Sequence, residues 1–139
     1  MKLDVIVITH AGLAGAFVDA VEMIMGPQPK LKAIAFQEGD DMVETGNMLA
    51  EMIRSSGADF TLILTDLYGA TPTNAALFAV SQCENAAVVT GVNLISVIHA
   101  LDQDGEDIDS QTLLRVVSQE GQKGIRAITR DMILEGKGQ

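Results

Sequence analysis

One of the two histidines, His10, stands at the end of a first strand, one residue (Thr9) past the short β-branched run Val5-Ile6-Val7-Ile8. Imidazole serves as nucleophile, acid, base or ligand near neutral pH. The small residues Ala11-Gly12 behind it leave room for something to approach. Taken alone, a satisfied structural histidine also fits the position. Asp66 stands just past a second apolar run. A carboxylate there that accepts the Nδ1 proton of His10 fixes the ring tautomer and bares Nε2 as a nucleophile. It would also stabilise positive charge on the ring; the plainer reading is a helix cap or turn former. Gly69-Ala70-Thr71-Pro72 is a loop of small residues entering a helix. Its free backbone N–H groups and positive dipole end suit a phosphate, with the Thr71 hydroxyl as a further donor. A simple turn explains that tetrapeptide equally well, and Asn74 on the same helix can simply face solvent. A nucleophilic histidine, a carboxylate to orient it and a phosphate cradle together make a phosphoryl-transfer site. No Gly-x-x-x-x-Gly-Lys-Ser/Thr loop and no Gly-x-Gly-x-x-Gly fingerprint is present, so nucleotide binding has no motif behind it.

These groups need elements to carry them. Residues 5–8 read as a strand buried on both faces. Phe17, Val18, Val21, Ile24 and Met25 recur at helical spacing over residues 12–25, and Gly26-Pro27 stops that helix. Residues 31–36 read as a second strand. Gly39-Asp40-Asp41 offers a capped start to a helix that runs to Ser55, with Met42, Leu49, Met52 and Ile53 on its apolar positions. Residues 60–65 form a third strand, and Pro72 suits the first helical position of a helix reaching Gln82. A fourth strand over 86–90 leads through Gly91-Val92-Asn93 into a helix ending at Leu101. A helix over 110–120 and a last strand over 125–129 follow, with a mobile Gly-rich tail beyond. Strands alternating with helices predict an α/β fold with an open, mostly parallel sheet flanked by helices. Residues 1–139 read as a single domain. Ligands of such sheets sit past the carboxyl ends of the strands. His10, Asp66 to Pro72 and Gly91-Val92-Asn93 converge there if strands one, three and four are neighbours.

Nine Lys and Arg oppose nineteen Asp and Glu, a formal net charge of -10. That charge excludes nucleic acid as a partner, because such binding rests on cations neutralising phosphates. It can steer a basic protein partner toward the surface. The single Cys83 cannot form an intrachain disulfide, and no Cys/His cluster has zinc spacing, so neither a metal nor a cofactor is expected. The charged run from Asp102 to Asp109 lacks an EF-hand pattern and reads as a solvated loop. His99, inside a predicted helix, and Cys83, near a helix end, read as packing or surface residues. Met42, Met48 and Met52 read as core. No secretory leader and no run of about 20 apolar residues is found, so the expected location is cytoplasmic with no membrane insertion.

The sequence resembles the mannose/fructose/sorbose-type enzyme IIA components of the bacterial sugar phosphotransferase system. The matches include Thr9-His10, Met23-Ile24-Met25-Gly26, Asp66-x-Tyr68-Gly69-x-Thr71-Pro72-x-Asn74-Ala75-Ala76 and Gly91-Val92-Asn93-Leu94. The resemblance implies that His10 is phosphorylated on Nε2 by the histidine-carrying phosphocarrier protein. It implies that Asp66 is bonded to His10 and that Gly69, Ala70 and Thr71 stabilise the phosphoryl group. The acceptor it implies is an enzyme IIB component. It further implies a homodimer in which the C-terminal strand pairs antiparallel and is exchanged between subunits. Three positions depart from the family pattern: Ala11 where Gly often follows the histidine, Ala70 for the second Gly of the loop, and Ile95 for a Pro.

A stand-alone regulator whose His10 phosphorylation reports sugar flux would use the same chemistry. A histidine phosphatase would place Arg before the histidine, where Thr9 stands. A tetrapyrrole chelatase would show a Gly-His-Gly-Ser type motif, which is missing.

Overall fold

The computed structural model describes residues 1–136. The element order is β1 (Leu3–His10), α1 (Leu13–Met25), β2 (Leu31–Phe36), α2 (Met42–Ser55), β3 (Phe60–Thr65), α3 (Thr71–Val80), β4 (Ala86–Val89), α4 (Leu94–Asp102), α5 (Ser110–Lys123) and α6 (Arg130–Leu134). The four strands form one sheet in the order β2-β1-β3-β4, and every pair is parallel. Helices cover both faces, which is why the two central strands read as continuous apolar runs. Alternate residues of β1 serve opposite cores. Leu3, Val5 and Val7 pack with Ala14 and Val21 of α1, Val97 of α4, and Leu113 and Val117 of α5. Ile6 and Ile8 pack with Leu49 and Ile53 of α2 and with Ala76 and Ala79 of α3. β3 is buried throughout.

Local chemistry explains the helix boundaries. Gly26 adopts φ +80° after α1, a left-handed conformation that glycine enters without Cβ strain, and Pro27 follows. Asp41 caps α2 by accepting the Glu44 N–H at 2.9 Å. α2 and α3 touch closely at Gly46, where a Cβ would meet Phe78 Cδ1 at 2.5 Å and the Ala75 carbonyl oxygen at 3.0 Å. That contact packs α3, and with it the loop that starts α3, closely against α2.

Several boundaries differ from the expected ones. α3 begins at Thr71, so Pro72 takes the second helical position. α5 continues to Lys123 rather than stopping at Glu120. Met48 is 43 % exposed and Ile24 61 % exposed, outside the core positions that helical spacing suggested; each lies on the outer side of its helix. Residues 125–129 form no strand within the chain. They run as an irregular segment into α6, whose first turn Thr129 caps by accepting the Met132 N–H at 3.2 Å. A strand requires a free edge to pair with, and this short segment turns into a helix before meeting one. The mobility expected of the tail concerns residues 137–139, which lie outside the described residues. No helix among the described residues is long and apolar enough to cross a membrane.

Candidate active site

β1 delivers His10 to the carboxyl edge of the sheet, and the chain then reverses within three residues into α1. Two features make this reversal tight. Thr9, fully buried, accepts the Ala14 N–H on its Oγ1 at 2.7 Å and so supplies a cap to the first turn of α1. Ala11 adopts φ +49°, the left-handed region that favours glycine. Its N–H donates to the Phe36 carbonyl at 2.9 Å, which anchors the turn to the end of β2. The strain at Ala11 yields a prediction. Left-handed backbone costs an L-residue about 1–2 kcal/mol, and a β-branched side chain fits there least well. Ala11→Val therefore lowers unfolding free energy by about 1–2 kcal/mol in urea titrations, whereas Ala11→Gly leaves it within about 1 kcal/mol of wild type. A Val variant as stable as wild type contradicts the strain.

β3 runs parallel beside β1, with Ile8 opposite Thr65, so Asp66 emerges next to His10. One carboxylate oxygen, Asp66 Oδ2, accepts both the His10 backbone N–H at 3.0 Å and a bond from ring Nδ1 at 2.8 Å. Against an ionised carboxylate, Nδ1 is the nitrogen that carries the proton, and Nε2 is left as the free base of the ring. The His10 side chain is 51 % exposed and that of Asp66 only 15 %. Burial pushes the Asp66 carboxyl up, but the hydrogen bonds from the His10 backbone and ring, with the charge of the ring, outweigh it and hold the group below the ordinary carboxylate value. Asp66 thus stays ionised at neutral pH.

The loop from Asp66 to α3 bends at Gly69, φ +83°. Ala70, at the position where the family pattern has a second Gly, is extended with φ -90° and ψ 166°. The left-handed residue of this loop is Gly69, so alanine at 70 brings no strain. Thr71, exposed, opens α3, and no side chain caps that helix. The N–H groups of its first turn have no intrahelical acceptor, which leaves a positive helix end on the same sheet edge as His10. Asn74 is exposed on the next turn.

Gly91-Val92-Asn93 also lies at this edge, with the Val92 N–H donating to the Thr65 carbonyl at 2.9 Å. Its polar side chain is engaged in holding helices. Asn93 Oδ1 accepts the Ser96 N–H at 2.9 Å to cap α4, and Asn93 Nδ2 donates to the Gly121 carbonyl of α5 at 2.7 Å. His99 on α4 faces Glu120 on α5 at 4.0 Å, and Cys83 packs half-buried beside the second core. Arg54 ends α2, Arg115 lies within α5 and Arg130 opens α6, so none follows the end of a strand. Among the described residues no group of three His, Cys, Asp or Glu could hold a metal ion. Two hydroxyls escaped the reading of the sequence, those of Thr9 and Thr73. Their only sequence signal is a threonine beside a strand end or a helix start.

Fold and site together define a parallel α/β protein that presents a carboxylate-oriented histidine on an open surface at the sheet's carboxyl edge. Residues 4–116 match the family described as PTS system fructose IIA component, and the chain belongs to that family of mannose-type enzyme IIA components of the phosphotransferase system. The chain is 35 % identical over 92 residues to the PTS system sorbose-specific EIIA component of Lacticaseibacillus casei, covering 66 % of this chain and 67 % of that protein. It is 27 % identical over 132 residues to the PTS system mannose-specific EIIAB component of Escherichia coli, covering 92 % of this chain and 40 % of that longer protein. The solved structure of a mannose/sorbose-specific IIA subunit from Enterococcus faecalis superposes with a TM-score of 0.80 at 27 % identity, over 93 % of this chain and 96 % of that one.

Proposed function

We propose that His10 accepts a phosphoryl group on Nε2 from the histidine-carrying phosphocarrier protein and passes it to an enzyme IIB component in the cytoplasm. The observation that carries this reading is the pair of hydrogen bonds that Asp66 Oδ2 accepts from the backbone N–H and the ring Nδ1 of His10, with half of the imidazole open to solvent. A ring held this way has one free nitrogen and a surface position that a protein partner can reach. On uptake the phosphorus–nitrogen bond to the donor histidine breaks as one to Nε2 forms. On release the phosphorus–Nε2 bond breaks as one to the enzyme IIB acceptor forms, and in both steps the Nδ1 proton stays in its hydrogen bond to Asp66. The positive start of α3, with Gly69, Ala70 and Thr71, receives the phosphoryl oxygens. The acidic surface complements a basic donor. The test is incubation with phosphoenolpyruvate, enzyme I and the phosphocarrier protein: one acid-labile, base-stable phosphate per chain is expected. A chain that stays unlabelled with active donor proteins overturns the reading.

The same reading includes a homodimer built on the C-terminal segment. Residues 125–129 pair with no strand among the described residues, and Ile125, Ile128, Ile133 and Leu134 are 80 %, 49 %, 65 % and 67 % exposed. β4 is an edge strand with an unpaired side. Antiparallel pairing of one copy's segment with the other copy's β4 would cover both. Truncation after Gly124 is then expected to turn a dimer into a monomer at micromolar concentration by light scattering. An intact chain that is monomeric at that concentration contradicts the exchange.

A further inference from the structure

We propose that Thr73 is a positioning residue for Asp66, acting through a hydroxyl brace that ties together the two backbone neighbours of that carboxylate. The proposal rests on the role given to Asp66 above and goes beyond it. Both hydrogen bonds of the Asp66 side chain end on His10 and leave from one oxygen, Oδ2. The other oxygen, Oδ1, is buried and has no partner among the described residues. The side chain's one bond to the main chain among the described residues is thus to His10 itself, and how well Asp66 aims the ring depends further on how firmly its own backbone is held.

Thr73 holds that backbone on both sides. It lies on α3, is fully buried, and its Oγ1 is 2.7 Å from the Leu67 carbonyl and 2.8 Å from the Thr65 hydroxyl. A carbonyl only accepts, and a hydroxyl has one proton to give. Thr73 must therefore donate to Leu67, and the Thr65 hydroxyl donates to Thr73. The result is a directed chain, Thr65 O–H to Thr73 O–H to Leu67 C=O, that brackets Asp66 from the last residue of β3 to the first residue after it. In a buried setting such a chain fixes one geometry, because each group would otherwise lose its partner away from water. Thr73 touches neither ring nor phosphate, so its effect runs through the placement of Oδ2 relative to Nδ1.

Thr73→Val keeps shape and removes the hydroxyl; Thr73→Ser keeps the hydroxyl and removes the methyl. Two readouts apply: the rate of phosphate uptake from the phosphocarrier protein, and the ring tautomer of His10 from nitrogen-15 chemical shifts in the unphosphorylated protein. Misplacing a reacting group by about 1 Å costs up to 10²-fold, and a loosened brace is a smaller error. The folded Val variant is expected to lose roughly ten-fold in rate and to show Nδ1 protonation weakened toward a tautomer mixture. Ser is expected to restore both to within about two-fold. If Val does not fold, Thr73→Ala removes the hydroxyl together with the methyl, and its comparison with Thr73→Ser, which lacks only the methyl, isolates the hydroxyl. Wild-type rate and tautomer in the folded hydroxyl-less variant overturn the proposal, as does Ser failing as badly as Val, which would assign the effect to packing. The tautomer measurement needs no phosphate. A wild-type chain that takes up none therefore defeats the proposed function while still deciding the role of Thr73.

Discussion

A His10→Gln chain, incubated with phosphoenolpyruvate, enzyme I and the phosphocarrier protein, acquires no acid-labile phosphate. The effect is total because the ring is the point of attachment, unlike a general base whose loss leaves the remaining machinery to act slowly. Glutamine approximates the size of the imidazole and can still donate toward Asp66 Oδ2, so the turn at Ala11 has no reason to unfold. The informative control is His99→Gln, which is expected to label at the wild-type rate. His99 is also an imidazole on a partly open surface, but its carboxylate partner, Glu120, is 4.0 Å away, beyond hydrogen-bond range. Nothing there fixes a tautomer or provides a helix start for a phosphoryl group. Label retained in His10→Gln and lost in His99→Gln would relocate the site to α4 and overturn the assignment.

The parts of this site that were legible in the sequence are those fixed by chain direction. A β-branched run ending in histidine places the ring at the carboxyl edge of a parallel sheet, and Asp66 after the next central strand places its carboxylate at the same edge. They become neighbours because β1 and β3 are adjacent in the order β2-β1-β3-β4, and alternating strand and helix patterns point to a parallel sheet without declaring that adjacency. The rest depends on backbone angles and buried pairings that residue types do not declare. Ala11 has no glycine to mark its left-handed turn. The hydroxyl of Thr9 bonds a group five residues away and that of Thr73 groups six and eight residues away, and an equal threonine on a surface helix looks the same in sequence. Met48 has the spacing of a core residue but faces outward, because α2 packs one side on the sheet and meets α3 through Gly46. Residues 125–129 show strand composition without a strand, since pairing needs an edge that the isolated chain does not bring to them.

Asp66→Asn is expected to slow phosphate uptake on the order of 10²-fold, less than the roughly 10⁴-fold loss when a hydrolase triad loses its orienting carboxylate. The difference follows from chemistry: here the ring is itself the nucleophile, and no second proton transfer has to be managed. The structure shows why an amide cannot substitute in either orientation. If the amide oxygen takes the place of Oδ2, it can accept both His10 bonds, but the NH2 group then occupies the position of Oδ1, which is buried without a partner. An unsatisfied buried donor costs about 1–3 kcal/mol. If the amide is turned over, the NH2 group faces Nδ1, which must then accept, and the proton moves to Nε2, the atom that has to attack. In both orientations the negative charge that favours the ring as it turns cationic is gone. The pH dependence of stability separates this role from simple turn capping. The folded Asp66 carboxyl sits below its ordinary value of 3.8. The stabilisation it contributes is therefore fully present above that pH and is lost as the pH falls through the lower folded value. In urea unfolding, wild type is expected to exceed Asp66→Asn by a constant margin at neutral pH, and the margin should narrow only below pH 3.8. A folded Asn variant that takes up phosphate at the wild-type rate, with a margin independent of pH, would reduce Asp66 to a turn residue and leave the orientation of His10 to some other group.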